Sequence, residues 1–355
     1  MITDCDVIIQ EDVKRCSKCI LPSTFPDIKF DKNGVCNKCH ESDKKYIQRD
    51  YKALGEQLEK ILYWVKAQNK RFDCIVPFSG GKDSSYVMYL CKKKYGLKVL
   101  AVNFNNGLRT IEALKNIEKI TKKLDIAYVC YGPNWNLMKK LYREFLLKTG
   151  QFCFPCDMGI WATVHKVAEQ YHVPLIISGY SAQIESRDSK IYSYSNKLFK
   201  TITKGLVTNR EMNDFLESTK AARLFKRIKH FRLTRYRRQI SLPDYIVWDD
   251  KEIKRAITEE LGWEKRADGS SDHIDCLFAP IKGYLNVQKW GFGEKTTKFS
   301  AMIRSGELFR SEGLKLAEQE EKKDLSEIIA RFIEMVGVNH EDLGQAKEKD
   351  HLPYM

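Results

Sequence analysis

Four cysteines near the start of the chain have the spacing of a metal site. Cys16 and Cys19 form one C-x2-C pair, and Cys36 and Cys39 form a second pair after an interval of 16 residues. Each pair can offer two thiolates to one tetrahedral ion, and so short a segment has little apolar mass on which to fold without a metal. The pattern predicts a zinc ribbon that binds Zn²⁺. Because four protein ligands close such a site, we expect it to be structural.

A glycine-rich loop is the second feature with evident chemistry. It follows the apolar run FDCIVPF (72–78), a predicted buried strand, and it opens a predicted helix. Paired glycines let backbone amides converge on an anion, and a helix N-terminus adds partial positive charge. The loop is therefore predicted to hold nucleotide phosphates, with the lysine neutralising charge and the aspartate positioning Mg²⁺ or the loop itself. Its residues are Ser79, Gly80, Gly81, Lys82, Asp83 and Ser84. The spacing before the lysine is not that of a Walker A loop.

The elements around this loop alternate. After the strand at 72–78 come a predicted helix, a strand at 98–104, a second helix and the strand IAYVCYG, and the apolar run at 173–179 predicts one more strand. Strands that alternate with amphipathic helices favour a parallel sheet. Beyond about residue 185 the pattern is mostly helical. The predicted fold class is α/β, with domains at 1–45 (ribbon), 46–205 (nucleotide binding) and 206–355 (mainly helical).

Composition limits the class of protein. Hydrophobic residues make up 43% of the 355-residue chain, which excludes disorder as the main state. No apolar run approaches the length of a membrane span, and the first residues do not resemble a signal peptide. We therefore expect a cytoplasmic protein without a membrane partner. The 11 cysteines in such a chain favour metal ligation or thiol chemistry over disulfides.

The loop SGGKDS in its strand–loop–helix setting resembles the PP-loop of the adenine nucleotide alpha-hydrolase superfamily, which has a HUP-like fold. The resemblance implies an enzyme that cleaves ATP to AMP and pyrophosphate and often adenylates a carbonyl oxygen. It also implies that Val102 and Asn103, after the second strand, lie near the adenine. Gly179 and Tyr180, at the end of a later strand, would face the same crevice.

A wider resemblance covers most of the chain. The segments CSKCILPSTFPDIKFDKNGVCNKC, SGGKDSS, ITEELGW and KWGFGEKTTKFSAMIRSGELFRSEGL resemble the N-acetyl sugar amidotransferase family of surface-polysaccharide biosynthesis. The resemblance implies that ATP activates an acetamido oxygen as its adenylate and that ammonia displaces AMP to give an acetamidine. No glutaminase motif is found in the chain, so a separate glutaminase is the expected source of ammonia.

The pattern of three further cysteines resembles that of a different group of PP-loop enzymes. Cys153 and Cys156 form a CxxC pair, and Cys276 follows much later, as in PP-loop enzymes that thiolate tRNA, where three cysteines hold an iron–sulfur cluster. Three interpretations stay open: a cluster or zinc site, which His273 could complete; a redox or persulfide pair; and ordinary core cysteines. Lys82, Asp83, Cys153 and Cys156 are the candidate catalytic residues. The alternative function is that of a sulfurtransferase with a 4Fe–4S cluster, a sulfur-donor protein, and tRNA or a small amide as substrate.

Charge indicates an anionic partner without identifying it. The formal net charge is +14, and the segment from Lys220 to Arg238 carries nine basic residues and no acidic one. A tRNA, an acidic subunit, a nucleotide-linked sugar or plain solvation of a helix face would each account for the segment. Glu185 and Asp188, after the strand at 173–179, are further candidate carboxylates for the substrate entrance.

Overall fold

A computed structural model describes residues 13–45, 50–180, 196–216, 238–266, 273–346 and 348. The helices and strands in these ranges are, in chain order, α1 (Asn37–Lys45), α2 (Tyr51–Ala67), β1 (Cys74–Pro77), α3 (Lys82–Tyr89), β2 (Val99–Phe104), α4 (Ile111–Lys123), β3 (Ala127–Tyr131), α5 (Trp135–Thr149), α6 (Phe154–Gln170), β4 (Leu175–Ser178), α7 (Asn196–Thr203), α8 (Asn209–Leu216), β5 (Arg238–Ser241), α9 (Asp250–Leu261), α10 (Ala279–Trp290), α11 (Glu294–Arg304), α12 (Arg310–Glu321), α13 (Ser326–Val336) and α14 (His340–Ala346). A π-helical turn (Leu90–Lys94) extends α3, and a 3-10 turn (Leu242–Asp244) follows β5.

The five strands form one parallel sheet in the order β3-β2-β1-β4-β5. Strands β2 and β4 are buried along their whole length, which explains why they appear in the sequence as unbroken apolar runs. The chain moves outward from β1 to β2 and β3, and then returns to place β4 on the other side of β1. The order therefore reverses beside β1, and parallel sheets bind ligands at the carboxyl ends of the strands at such a point.

Helices cover both faces of the sheet. Alternate residues of β1 point to opposite sides, so Val76 joins the core beneath α2, α3, α4 and α9, whereas Ile75 packs with Val164 and Val167 of α6. The α/β fold class with a cysteine-rich N-terminal segment and a helical C-terminal region is thus confirmed.

The fifth strand is a feature that the sequence did not predict. Strand β5 pairs with β4 from Leu175 opposite Arg238 to Ser178 opposite Ser241. It lies in the stretch predicted as the C-terminal region, so the sheet takes a strand from beyond residue 205. The basic segment was expected to be helical, but its last residue, Arg238, begins this strand. Residues 220–237 lie outside the described residues.

Helices α5, α6 and α7 build a second core together with the C-terminal helices. Large aromatic side chains of α5, α6, α7 and α13 meet there, including Phe145, Phe154, Phe199 and Phe332, and each of these is at most 1% exposed. This core lies against the end of β2 through Phe104, so the helical region is packed against the sheet. Among the described residues, no helix has both the length and the apolar character needed to cross a membrane.

Candidate active site and metal centre

The ribbon cysteines converge as their spacing predicts. The Sγ atoms of Cys16 and Cys39 are 3.8 Å apart, those of Cys19 and Cys36 are 3.7 Å apart, and those of Cys36 and Cys39 are 3.6 Å apart. Four sulfurs bound at about 2.3 Å to one tetrahedral zinc ion would lie about 3.8 Å from one another. All four side chains are fully buried. The group therefore fits a closed structural metal site.

Backbone amides already point at these sulfurs. Amides of Lys18, Cys19 and Cys36 donate to Sγ of Cys16 at 3.2–3.4 Å. Hydrogen bonds from Cys36 and Cys39 lower the pKa of the Cys19 thiol far below its usual range. Amide donors stabilise thiolates, which are the metal-binding form of cysteine, while the hydrogen bonds with Cys19 raise the pKa of the Cys36 and Cys39 thiols.

The ribbon is held by the C-terminal region. The Arg310 guanidinium donates to the carbonyls of Cys16 and Cys19 at 2.9–3.2 Å, and Arg15 forms an ion pair with Glu321 at 3.1 Å. Phe25 packs on Phe292 with ring centroids 5.8 Å apart. A metal in the ribbon would therefore also stabilise the end of the chain.

The glycine-rich loop connects β1 to α3. Gly80 has a φ of +81°, and a Cβ at this position would lie 2.3 Å from the carbonyl oxygen of Ala113, so only glycine fits. Gly81 is the N-cap of α3 and offers no side chain to cap the first-turn amides. Those amides lack intrahelical acceptors by geometry and can bind an anion. Ser79 and Ser84 brace the loop, with their Oγ atoms 3.2 Å apart.

Lys82 and Asp83 are both anchored by residues just before or within α9. Lys82 is 6% exposed, and its ammonium pairs with the carboxylate of Asp250 and lies 3.5 Å from Asp83. Asp83 accepts a hydrogen bond from the Trp248 indole at 3.2 Å. Burial raises the pKa of Asp250, but the Lys82 charge and hydrogen bonds from Lys254 and Lys82 outweigh burial and lower it overall. In this structure Lys82 is paired with protein carboxylates.

Distant residues surround the outer side of the loop. The carbonyl of Gly80 accepts hydrogen bonds from the Trp263 indole at 3.0 Å and from Asn116 at 3.3 Å. Asp275 lies beside Gly81, and its carboxyl carbon would be 3.6 Å from a Cβ added to that glycine. Arg109 donates to the carbonyl of Ser79 at 2.9 Å. The loop is therefore held in shape by α4, by the chain that follows β2 and by the chain after α9.

The predicted adenine-binding residues lie at the same edge of the sheet. Val102 is buried within β2, and its carbonyl accepts from the amide of Phe78 at 2.8 Å, while Asn103 donates to the carbonyl of Phe78 at 2.5 Å. Gly179 lies beside α3, where a Cβ would be 3.1 Å from the carbonyl oxygen of Asp83. The Tyr180 carbonyl accepts from Ser241. Their role in binding adenine stays a prediction.

Cys153, Cys156 and Cys276 lie in one neighbourhood. All three pack against the core of the C-terminal helices, and the Cys156 thiol contacts the Tyr142 hydroxyl at 3.0 Å and the Asn106 amide at 3.3 Å. Burial raises the pKa of Cys156 to about 12 and that of Cys276 to about 11, with the charges of Cys276 and Asp275 contributing respectively. The three cysteines are thus near one another, while a cluster or catalytic role for them stays a prediction.

Their geometry differs from that of the ribbon. Among the described residues, the ribbon cysteines form the one set of at least three potential ligands whose ligand atoms all lie within 4.8 Å of one another. A single tetrahedral ion would need such closeness, whereas a cuboidal iron cluster binds each thiolate to a separate iron and holds them farther apart. His273 is exposed, and its carbonyl, not its ring, contacts the Cys276 amide at 3.4 Å.

The loop and the three cysteines are joined by one short segment. The Leu277 amide donates to the Leu108 carbonyl at 2.8 Å, and the Thr110 hydroxyl donates to the Ile274 carbonyl. These bonds hold Asp275 and Cys276 against the chain that follows β2. Burial raises the pKa of Cys276, and the Arg109 charge from that chain opposes the rise. The segment 274–277 therefore places Cys276 close to the glycine-rich loop, which Asp275 adjoins.

Two family models match parts of the chain. Residues 73–151 match the model of the queuosine biosynthesis protein QueC, and residues 252–355 match that of the C-terminal domain of WbpG-like LPS biosynthesis proteins. The chain joins a QueC-like PP-loop domain to a WbpG-like C-terminal domain. The predicted class, a PP-loop enzyme that uses ATP, is confirmed.

Relatives and solved structures add distant similarity. The uncharacterised protein MJ1599 of Methanocaldococcus jannaschii is 23% identical over 306 residues, which is 86% of this chain and 93% of that protein. The tRNA thiolase NcsA of Methanococcus maripaludis, with its iron–sulfur cluster, is 18% identical, with a TM-score of 0.36 and coverage of 89% of this chain and 93% of that one. The NH3-dependent NAD synthetase of Campylobacter jejuni is 15% identical, with a TM-score of 0.30 and coverage of 61% and 98%.

Sequence reasoning missed several residues of the site. Arg109 and Asn116 had only their position after the second strand as an indication, and Asp250 belongs to the helix that begins the WbpG-like domain. Trp263 ends the segment ITEELGW, to which the family resemblance assigned no role. Glu185 and Asp188 lie outside the described residues, so their predicted place at a substrate entrance stays a prediction.

Proposed function

We propose that this protein adenylates the amide oxygen of an N-acetyl sugar with ATP and replaces it with ammonia to form an acetamidine. The observation that supports the proposal is that residues of the WbpG-like domain contact the glycine-rich loop. Trp263 donates to the Gly80 carbonyl at 3.0 Å, and Asp275 lies beside Gly81. A domain similar to one from polysaccharide biosynthesis therefore forms a wall of the site in which the phosphates would bind.

The chain's own groups suit the first step. The first-turn amides of α3 and the Lys82 ammonium would bind the triphosphate, and Lys82 would exchange Asp250 for phosphate oxygens. The amide oxygen of the acceptor attacks the α-phosphorus, the bond to the bridging oxygen breaks, and pyrophosphate leaves. Bound Mg²⁺ would neutralise phosphate charge during this transfer.

The second step needs a nucleophile and a dry pocket. Ammonia attacks the adenylated carbon, the bond from carbon to the AMP oxygen breaks, and a proton is released as the acetamidine forms. Adenylation is required because an amide oxygen is a poor leaving group. We propose that a separate glutaminase supplies the ammonia and that both proteins act in the cytoplasm.

The three cysteines Cys153, Cys156 and Cys276 favour a second candidate function, that of a sulfurtransferase. Their convergence beside the PP-loop site is the arrangement expected if sulfur rather than ammonia attacks the adenylate, with a 4Fe–4S cluster or a persulfide at Cys153, Cys156 and Cys276. The acceptor would then be tRNA or a small amide, and the basic segment from Lys220 to Arg238 would bind RNA.

One assay separates the candidates. Protein purified without oxygen is incubated with ATP, Mg²⁺, an N-acetyl sugar and either ammonium or sulfide, and AMP, pyrophosphate and product mass are measured. Nitrogen in the product supports amidation, and sulfur supports thiolation. A protein that releases no AMP with any acceptor would contradict both.

The iron content gives an independent test of the sulfur candidate. A brown protein that loses its iron in Cys156→Ala, but not in the control Cys130→Ala on strand β3, would support a cluster. A colourless protein that contains zinc alone would contradict the cluster and favour amidation.

A further inference from the structure

Strand β3 lies at an edge of the sheet, and its outer side pairs with no strand among the described residues. The strand contains no charged residue and no proline, and its register with β2 runs without a bulge. Natural edge strands are commonly protected from pairing with another chain by lysine, proline, a bulge or a covering element. Tyr128 and Cys130 of β3 are exposed. Strand β3 is therefore an unprotected edge that can accept one more strand.

The backbone of β3 presents hydrogen-bonding groups on this outer side. The Asn105 amide donates to the Tyr131 carbonyl at 2.7 Å, so the backbone groups of Tyr131 face β2. In a parallel edge strand, residues that bond to the neighbouring strand alternate with residues whose N–H and C=O both point away from it. The backbone groups of Tyr128 and Cys130 therefore point outward. A β-strand is the structure that pairs with such a row of donors and acceptors.

An apolar surface flanks the free edge on the α4 side of the sheet. Asn116 and Lys119 of α4 bond to the chain that follows α9, and α9 packs mainly on α3, so this side of α4 faces the middle of the sheet. The opposite side of α4 faces the β3 edge. Ile111 and Leu114 lie on that side and are 69% and 51% exposed. Aliphatic side chains next to an exposed Tyr128 are typical of the centre of a protein interface.

The charge of this edge fits a second copy of the chain better than an acidic or a basic partner. The chain has a formal net charge of +14, so two copies in general repel one another. Strand β3 is uncharged, and on the same side of α4 Glu118 and Lys122 neutralise each other at 2.7 Å. An edge without net charge does not attract a charged partner, but it permits two copies to approach.

We propose that β3 pairs with β3 of a second copy about a twofold axis, so that the two sheets join into one. The antiparallel register that uses all the outward groups places Tyr128 opposite Cys130 of the partner subunit and Val129 opposite its own counterpart. Ile111 and Leu114 of both copies cover the contact. The strands of the two copies run in opposite directions, so the glycine-rich loops lie at opposite ends and both stay open. This inference does not depend on the proposed function.

Sedimentation velocity of the full-length protein tests the association. The wild type should sediment as a dimer of twice 41.4 kDa. Cys130→Pro removes an outward N–H without removing a bond to β2, and Leu114→Lys adds a charge to the exposed side of α4. Both variants should sediment as monomers with unchanged circular dichroism. Two matched controls should stay dimeric: Cys130→Ala, which keeps the N–H, and Tyr63→Lys, which changes a side chain of α2 that is 78% exposed near the opposite edge of the sheet.

A cross-link tests the register without a disruptive variant. Opposite residues of a non-hydrogen-bonded antiparallel pair have Cα atoms about 4.5 Å apart, which a disulfide can span. Val129→Cys in the Cys130→Ala background should therefore form a disulfide-linked dimer on mild oxidation, whereas Tyr63→Cys in the same background should not. The inference is overturned by a monomeric wild type, by a dimer that survives either Cys130→Pro or Leu114→Lys, or by the absence of the cross-link at position 129.

Discussion

The ion pair between Lys82 and Asp250 gives the sharpest prediction about the site. Replacing Asp250 with Asn removes the carboxylate and leaves the buried Lys82 ammonium with a weaker set of partners. Breaking a fully buried pair costs about 3–5 kcal/mol, but the Asp250 side chain is 25% exposed and Asp83 lies 3.5 Å from the ammonium. We therefore expect Asp250→Asn to lower the free energy of unfolding by about 2 kcal/mol.

ATP should reverse much of this loss. Phosphate oxygens would become partners of Lys82, and the variant no longer has to break the Asp250 contact before it binds them. The rise in melting temperature on adding ATP should therefore be larger in Asp250→Asn than in the wild type. A loss of about 2 kcal/mol corresponds to roughly 4–8 °C in a domain of about 150–250 residues and to a smaller shift if the whole chain unfolds as one unit, which a thermal melt resolves.

Low pH should reduce the difference in melting temperature between the wild type and Asp250→Asn. Because the folded-state pKa of Asp250 is lowered, its carboxylate stabilises the fold fully above the ordinary pKa of aspartate, and this stability is lost as the pH falls through the lowered value. The variant has no such group to protonate. Melting temperatures of wild type and variant should therefore converge below about pH 4.

Glu259→Gln is the matched control for this experiment. It removes a carboxylate from the same helix, where Glu259 pairs with Arg255 at 3.6 Å but is 62% exposed, so its melting temperature should be unchanged. Wild-type stability in Asp250→Asn would refute the pairing argument. A smaller ATP-induced rise in the variant would also refute it and would indicate that Asp250 itself assists nucleotide binding.

Three other substitutions test the loop and the ribbon. Gly80→Ala places a methyl group against the carbonyl of Ala113 at a φ of +81°, so it should abolish ATP binding in calorimetry, whereas Gly96→Ala meets no atom within 4 Å and should cost only about 1 kcal/mol in urea denaturation. Trp263→Phe keeps an aromatic ring but loses the donor to Gly80 and leaves a small cavity in the core, so the Kd for ATP should rise about threefold to tenfold and the melting temperature should fall. Cys16→Ser should remove about one equivalent of zinc by metal analysis and expose α12 to proteolysis, and retention of both zinc and protection would contradict the ribbon.

Local patterns in the sequence were sufficient to predict the parts of the site that consist of residues close together in the chain. The two CxxC pairs predicted the ribbon because its ligands lie on two short turns. The loop at 79–84 was predicted because both glycines act within one strand–loop–helix unit. Strands β1, β2 and β4 were visible as apolar runs, since strands buried on both faces need apolar side chains at almost every position. Strand β3 lies at the sheet edge and is partly exposed, and it was predicted from the run IAYVCYG.

Contacts between segments that are far apart in the sequence could not be predicted from local patterns. Strand β5 has only four residues and follows a basic segment, so no apolar run marked it. Asp250 is 168 positions from Lys82 and Trp263 is 183 positions from Gly80, and periodicity carries no information about partners so far apart.

The amino-acid sequence by itself thus determined that four cysteines converge in a ribbon and that a glycine-rich loop joins β1 to α3, because backbone turns and ligand spacing are local properties. The tertiary structure decided that Trp263 and Asp275 of the WbpG-like domain lie against that loop and that three cysteines far apart in the chain pack against one core. These depend on how helices far apart in the chain pack together, and that is settled only when the whole core forms.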